Sequence, residues 1–273
     1  MRKRKKRNMK YLGIFFRLGG YLMRNLIWIH RWSKHKDKHT LEERYQALSK
    51  VILRVNKGLH MDFHVEGLEN IPTDTPMIMI PNHQSMVDPL LLFPYISSPM
   101  AFIAKKEAEK VGPVRDAMNL LDSYFLERDN LRQELKVIRS VIQSLKEGQT
   151  SWVIFAEGHR TRNPNFEMND FKPGTFKIAV DSHRPIVPIA IYGGFRVLSK
   201  KYRLKKYPVQ VHFLKPIYYE EYQGMKTFEI AKMVEDRVRE EVEILRKKDE
   251  EYLQELKQKK RKKEKKKEPV KQS

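Results

Sequence analysis

The segment MIMIPNHQSMVDP, residues 77–89, joins an apolar run to a polar loop and ends on Asp-Pro. The apolar run Met77–Ile80, closed by Pro81, suits a short strand. Asp88-Pro89 suits a helix start, with Asp as N-cap and Pro at the first helical position. The stretch therefore predicts strand, loop and helix in succession. The same order recurs along the chain. Further strands are expected at Met100–Ala104, Asp122–Leu126, Trp152–Phe155, Ile186–Ile191 and Val209–Leu214, and MDFHVEGLENIP (61–72) reads as a strand and a turn. Helices are expected at Pro89–Ile96, Val114–Leu120, Leu131–Lys146 and Thr175–Asp181. Strands alternating with helical segments predict an α/β domain with helices over the sheet.

The flanks differ in character. Upstream, Leu41, Tyr45, Leu48, Ile52 and Val55 recur at helical spacing over 41–58, after a linker-like SKHKDKHT at 33–40. The chain opens on MRKRKKR, followed by NMKYLGIFFRLGGYLMRNLIWIHRW. Arg17 and Arg24 interrupt that apolar stretch, which argues against a transmembrane helix, and no small-residue cleavage site follows. Leu12, Phe15, Phe16, Leu22, Leu26 and Ile29 share a broad apolar side, with Tyr21, Trp28 and Trp32 suited to a headgroup boundary. This predicts an interfacial helix or helix pair, broken near Gly19-Gly20, lying in an anionic membrane surface. The competing expectation is a helix packed on the protein's own core. Downstream, Ile230, Val234, Val238, Val242 and Leu245 give a long charged helix one apolar side, and a basic tail follows. The expected layout is a leader and interfacial segment at 1–40, the α/β domain at 41–225, an amphipathic helix at 226–258 and a disordered tail at 259–273.

The chain has 273 residues, 40% of them hydrophobic, and a formal net charge of +21. It is long enough to bury a substantial core. The absence of Cys excludes disulfides, thiolate metal sites and a cysteine nucleophile. The charge implies acidic partners, whether nucleic acid, membrane or phosphorylated substrate.

Ligands of open α/β sheets bind beyond the carboxyl ends of the strands. Three loops lie there. In the first, His83 precedes Asp88 by five residues, close enough for the carboxylate to fix the tautomer and leave the other ring nitrogen as an acceptor. An unperturbed imidazole, with a pKa of about 6.5, suits general-base work. No G-x-S-x-G elbow is present, so direct deprotonation of a substrate hydroxyl is the simpler chemistry. The second loop, SYFLERDN (123–130), offers Arg128 to a phosphate, and the third, FAEGHRTRN (155–163), offers Arg160 and Arg162 beside Glu157 and Gly158. A base pair and two arginine loops describe a phosphate substrate that carries a hydroxyl.

These residues resemble the glycerolipid acyltransferase family, and within it the 1-acyl-sn-glycerol-3-phosphate acyltransferases. Asn82, His83 and Asp88 match its N-H-x-x-x-x-D motif, YFLER its second motif with Arg128, FAEGHRT its F-P-E-G-T-R-S motif, and IVPIAIYG its fourth with Pro188. FIAKKE and FKPG also fit, and the likeness covers about residues 60–215. Ala156 and His159 depart from the family's usual Pro and Thr. The resemblance implies a glycerol-3-phosphate-acyltransferase-like fold, a mostly parallel sheet flanked by helices. It implies His83 as general base with Asp88 as its partner. The 2-hydroxyl of lysophosphatidic acid would attack the thioester of acyl-CoA or acyl-carrier protein to give phosphatidic acid. It places Arg128, Glu157, Gly158 and Arg160 in the acceptor site, with Lys105 adding charge, and implies no metal and no bound cofactor. A monotopic or peripheral enzyme on the cytoplasmic face of a membrane follows from lipid substrate and product. Other acceptors, glycerol 3-phosphate or another lysophospholipid, share this motif chemistry and stay open. A basic nucleic-acid-binding protein is the alternative of a different class. It would account for the charged ends but not for the organised loops.

Overall fold

The computed structural model describes residues 2–127, 130–161 and 167–265. Seven strands form one sheet: β1 (Met61–Glu66), β2 (Ile78–Pro81), β3 (Met100–Lys105), β4 (Tyr124–Leu126), β5 (Ser151–Val153), β6 (Ile186–Tyr192) and β7 (Tyr207–Phe213). Their order is β1-β7-β6-β2-β5-β3-β4. All neighbouring pairs are parallel except β6 and β7, which run antiparallel with Ile189 opposite Phe213. The fold is thus mixed α/β on a mostly parallel sheet. β2 lies at its centre, between β6 and β5, with Ile78 in register with both Ile186 and Trp152.

Strand alternation sorts the apolar side chains into two cores. Met77 and Met79 face one side, beneath α1 (Arg2–Lys34), α2 (Leu41–Gly58) and α3 (Gly112–Leu120), where Leu18, Ile29, Tyr45, Leu48 and Met118 meet Val187, Ile189 and Val211. Ile78 and Ile80 face the other, beneath α4 (Leu131–Lys146), the short α5 (Lys177–Ser182) and α7 (Thr227–Lys265). There α7 buries Ile230, Val234, Val238, Val242 and Leu245, the expected inner residues of that helix. A short helix α6 (Tyr219–Tyr222) precedes it. At the head of α2, Thr40 Oγ1 accepts from the Glu43 N–H at 3.2 Å and the Glu43 carboxylate accepts from Thr40 N–H at 2.8 Å, a complete capping box.

Three expectations fail. The helix expected over Pro89–Ile96 is a single 3-10 turn, Asp88–Leu91, followed by turns. Pro94 removes a backbone donor within that stretch. Leu91, Leu92, Phe93 and Ile96 are all buried, too broad an arc for one helical face. α1 runs unbroken through Gly19-Gly20. Its middle is held by packing, since the Leu18 side chain seats against Gly58 of α2, where a Cβ would lie 2.4 Å from Leu18 Cδ2. Tertiary contact here overrides glycine's poor helix propensity. Finally, the α7 backbone stays helical to Lys265, past the expected end near 258. Lys, Glu and Gln are good helix formers, and extending an existing helix is far easier than starting one.

α1 presents two apolar sides. Leu18 and Ile29 are buried in the core shared with α2 and α3, whereas Leu12, Phe15, Phe16, Met23 and Ile27 are exposed. None of the described helices is long and apolar enough to cross a membrane.

Candidate active site

β2, β5, β3 and β4 are adjacent and parallel, so their carboxyl ends lie along one edge of the sheet. The loop after β2 is fastened there by side chains that imitate backbone. Asn82 is fully buried. Its amide donates to Ile191 O at 3.0 Å and its carbonyl accepts from Ile191 N–H at 2.7 Å, continuing the pairing of β2 with β6. His83 N–H donates to Glu157 Oε1 at 2.6 Å, and Thr161 N–H donates to His83 O at 2.8 Å.

Within this frame the His83 Nδ1 lies 2.9 Å from Asp88 Oδ2. The same oxygen accepts from the N–H groups of Gln84 and Ser85 at 2.7 and 2.6 Å. Asp88 is fully buried, while the His83 side chain is 18% exposed. Asp88 is therefore not the N-cap expected from Asp-Pro. It is the first residue of the 3-10 turn, after Val87, and its carboxylate turns back to gather the N–H groups of its own loop. A carboxylate accepting from Nδ1–H fixes the tautomer with its lone pair on Nε2, the arrangement of a general base. The Phe155 ring lies 4.1 Å from the imidazole, centroid to centroid, and limits its rotation. The Ser85 hydroxyl accepts from Val87 N–H at 3.3 Å, a local turn contact.

Glu157 was expected on the substrate. Its carboxylate is instead buried and turned inward, accepting from His83 N–H, the Thr161 hydroxyl at 3.1 Å, and Asn169 N–H and Nδ2 at 2.9 and 2.7 Å. It ties the loops after β2 and β5 together at the His83 backbone. Gly158 has φ of 74°, a left-handed conformation that lets the chain turn at once after Glu157. His159 and Arg160 follow it, both exposed. Ala156 is buried, and its carbonyl accepts from Lys172 N–H at 3.0 Å. Lys105 is the exposed last residue of β3, on the same edge. Arg128 and Arg162 lie outside the described residues.

Sequence reasoning matched Asn82 to a motif without giving it a role, and gave none to Thr161, Phe155 or Asn169. Asn82 and Thr161 carried a signal, since they sit inside the two motifs. Asn169, beyond the third loop, carried none. An open groove of about 1000 Å³ lies elsewhere, lined in part by Glu69, Asp74, Glu221, Glu240 and Glu241, which outnumber its Lys215 and Arg237. It adjoins the carboxyl end of β7, opposite the His83 edge because β7 is antiparallel to β6. Its carboxylates disfavour a phosphate ligand.

A family model described as Acyltransferase matches residues 62–192. A Mycoplasma genitalium protein named "Probable 1-acyl-sn-glycerol-3-phosphate acyltransferase" is 33% identical over 168 residues, 58% of this chain and 61% of that one. The 1-acyl-sn-glycerol-3-phosphate acyltransferase alpha of Ovis aries is 30% identical over 199 residues, 72% of this chain and 67% of that one. The crystal structure of the 1-acyl-sn-glycerophosphate (LPA) acyltransferase PlsC from Thermotoga maritima superposes with a TM-score of 0.69 at 26% identity, covering 89% of this chain and 98% of that one. The chain spans about three fifths of the length of the first of these relatives. The motif residues, the sheet order and these likenesses agree, and the chain belongs to the acyltransferase family that includes the 1-acyl-sn-glycerol-3-phosphate acyltransferases.

Proposed function

We propose that this protein transfers an acyl chain from a thioester, acyl-CoA or acyl-carrier protein, to the 2-hydroxyl of lysophosphatidic acid, forming phosphatidic acid. The observation that carries the reading is the His83 imidazole, bonded through Nδ1 to a buried carboxylate at 2.9 Å and partly exposed to solvent. His83 Nε2 takes the hydroxyl proton as the oxygen attacks the thioester carbonyl. Asp88 stabilises the imidazolium that forms. Collapse of the tetrahedral intermediate expels the thiolate, to which the imidazolium returns the proton. Arg160, Lys105 and Arg128 hold the acceptor phosphate, Gly158 shapes that loop, and Glu157 serves through the loop it anchors. The reaction so written needs no metal and no bound cofactor.

The exposed apolar row of α1 supports a place for this chemistry at a membrane surface, where lipid acceptor and product reside. The test is a thioester-release assay across a panel of lysophospholipid and glycerol 3-phosphate acceptors with both donor types. Lysophosphatidic acid is expected to be preferred, and His83→Ala to lower the rate by about 10²–10⁴-fold with the fold kept. A folded His83→Ala variant with near-normal turnover overturns the reading.

A further inference from the structure

The two oxygens of Asp88 live in different surroundings. Oδ2 gathers three nitrogens, from His83, Gln84 and Ser85. Oδ1 is buried and accepts no hydrogen bond among the described residues. What lies against it is Gly194, in the turn that follows β6. A Cβ on Gly194 would stand 2.8 Å from Asp88 Oδ1 and 3.4 Å from Val87 Cγ2, closer to the oxygen than real Cβ atoms come. The carboxylate has little freedom to retreat, because moving it would loosen the three bonds on Oδ2. Gly194 therefore forms the wall behind Asp88, and its lack of a side chain sets how far the carboxylate sits from the imidazole.

The turn that carries Gly194 is itself fixed. Gly193 has φ of 97°, and a Cβ there would lie 2.4 Å from Pro208 O, so the backbone passes tight against β7. A 3-10 turn spans Gly194–Arg196, with Arg196 N–H donating to Gly193 O at 3.1 Å. The Arg196 side chain is buried and forms a two-pronged pair with Asp249 of α7, Nη1 to Oδ1 at 2.7 Å and Nη2 to Oδ2. Its guanidinium lies 4.6 Å from the Phe195 ring. From the other side, the Lys10 ammonium of α1 donates to the carbonyls of Arg196, Ser199 and Tyr202 at 3.3, 2.8 and 3.1 Å. A buried ion pair is a poor source of net stability, because desolvation offsets its attraction. Its planar fork does fix orientation, which an aliphatic pair of the same volume would not.

We propose that Gly194 is a positioning residue for the His83–Asp88 pair, and that the buried Arg196–Asp249 clamp reaching in from α7 holds it in place. This rests on the acyl-transfer reading above. Gly194 acts directly on the Asp88 carboxylate, and Arg196 and Asp249 act through Gly194.

The test uses the full chain in detergent micelles. Gly194→Ala and Asp249→Asn are compared with the parent for kcat, KM, Tm and the downfield proton NMR signal of His83 Nδ1–H, assigned by its loss in His83→Ala. Gly194→Ala is expected to lower kcat by about 10–100-fold. KM should change by less than about twofold. The downfield signal should move, and Tm should fall modestly as the buried carboxylate yields to the new methyl. Asp249→Asn keeps the volume but removes the charge and one of the two acceptors of the Arg196 fork, so Tm should fall, and it is expected to move kcat and the signal in the same direction. It decides the matter should Gly194→Ala not fold. A folded Gly194→Ala variant with normal kcat and an unmoved signal overturns the proposal. So does a loss of activity that tracks Tm while the signal stays in place. Normal turnover by His83→Ala would instead defeat the acyl-transfer reading, and the NMR signal would then judge the positioning claim by itself.

Discussion

Glu157 shows how one residue can serve a site without facing its ligand. Its carboxylate accepts from His83 N–H, Thr161 Oγ1 and two donors of Asn169, and it is buried. Glu157→Gln replaces an acceptor oxygen by an NH₂ that must face one of those donors. Leaving a buried donor unpaired costs about 1–3 kcal/mol. The variant is expected to melt at lower temperature and to lose kcat, because the His83 backbone shifts, while KM for the acceptor stays close to normal. Thermal melts with steady-state kinetics check this. A raised KM at unchanged kcat and Tm would make Glu157 a substrate ligand instead. Asp88 makes the same point about local signals. Asp-Pro is a helix-start pair, yet the carboxylate serves the loop before it, as His83 Nδ1 and two backbone N–H groups compete for its oxygen.

At the scale of elements, α2 is joined to the approach of β4 by one polar knot. Arg44 is buried. Its Nη1 donates to Leu120 O at 2.6 Å and its Nη2 to Asp122 Oδ2 at 2.7 Å, and Lys36 pairs with the other carboxylate oxygen. Asp122 has φ of 50°, which shapes the turn after α3 and delays β4 to Tyr124. Burial raises the Asp122 carboxyl pKa, but hydrogen bonds and charge from Arg44 and Lys36 outweigh it and hold the group below its ordinary 3.8. A depressed carboxylate contributes stability above its unfolded pKa and loses it as pH falls through the folded value. The side chain is 39% exposed, so solvent screening limits the worth to about 1 kcal/mol. Asp122→Asn is accordingly expected to be less stable than the parent by about that much at neutral pH, with the gap closing in acid once pH has fallen through the folded value. Urea titrations at the two pH values measure it. A gap that persists at the lower pH would show that charge is not its source.

For the whole molecule, the layers decide where lipid could be met. α1 covers one face of the sheet with Leu18 and Ile29 and leaves Phe15 at 63% and Phe16 at 76% exposure on its outer side. Removing the helix would strip core residues along with the outer row, so substitution is the cleaner probe. Burying a phenylalanine is worth about 1.5–3 kcal/mol. Phe15→Ser with Phe16→Ser is expected to weaken partitioning onto anionic vesicles by at least about tenfold. Tm should be unchanged, since neither ring is in the core. Vesicle flotation reads the first and a thermal melt the second, and undiminished flotation would remove α1 from the membrane contact.

The apolar runs, their turn residues and the motif loops were legible because they depend on neighbours a few positions apart. The alternation of β2 side chains between the two cores, the helical run of α2, the inner side of α7 and the placing of His83 after a strand all follow from such local rules. The orientation of the polar groups was not legible. Glu157 meets His83 across 74 positions, Asn82 meets Ile191 across 109, and Gly194 reaches Asp88 from another strand's end. Whether a carboxylate faces solvent or the protein is set by which donors the packed layers bring within hydrogen-bonding range. The sequence by itself determined the strands and the polar residues held in the loops after them. Only the tertiary structure decided that Asp88 is a partner rather than a cap, that Glu157 points inward, and that α1 is one helix with two apolar sides, because each of these is a choice between contacts that exist only after the sheet has assembled.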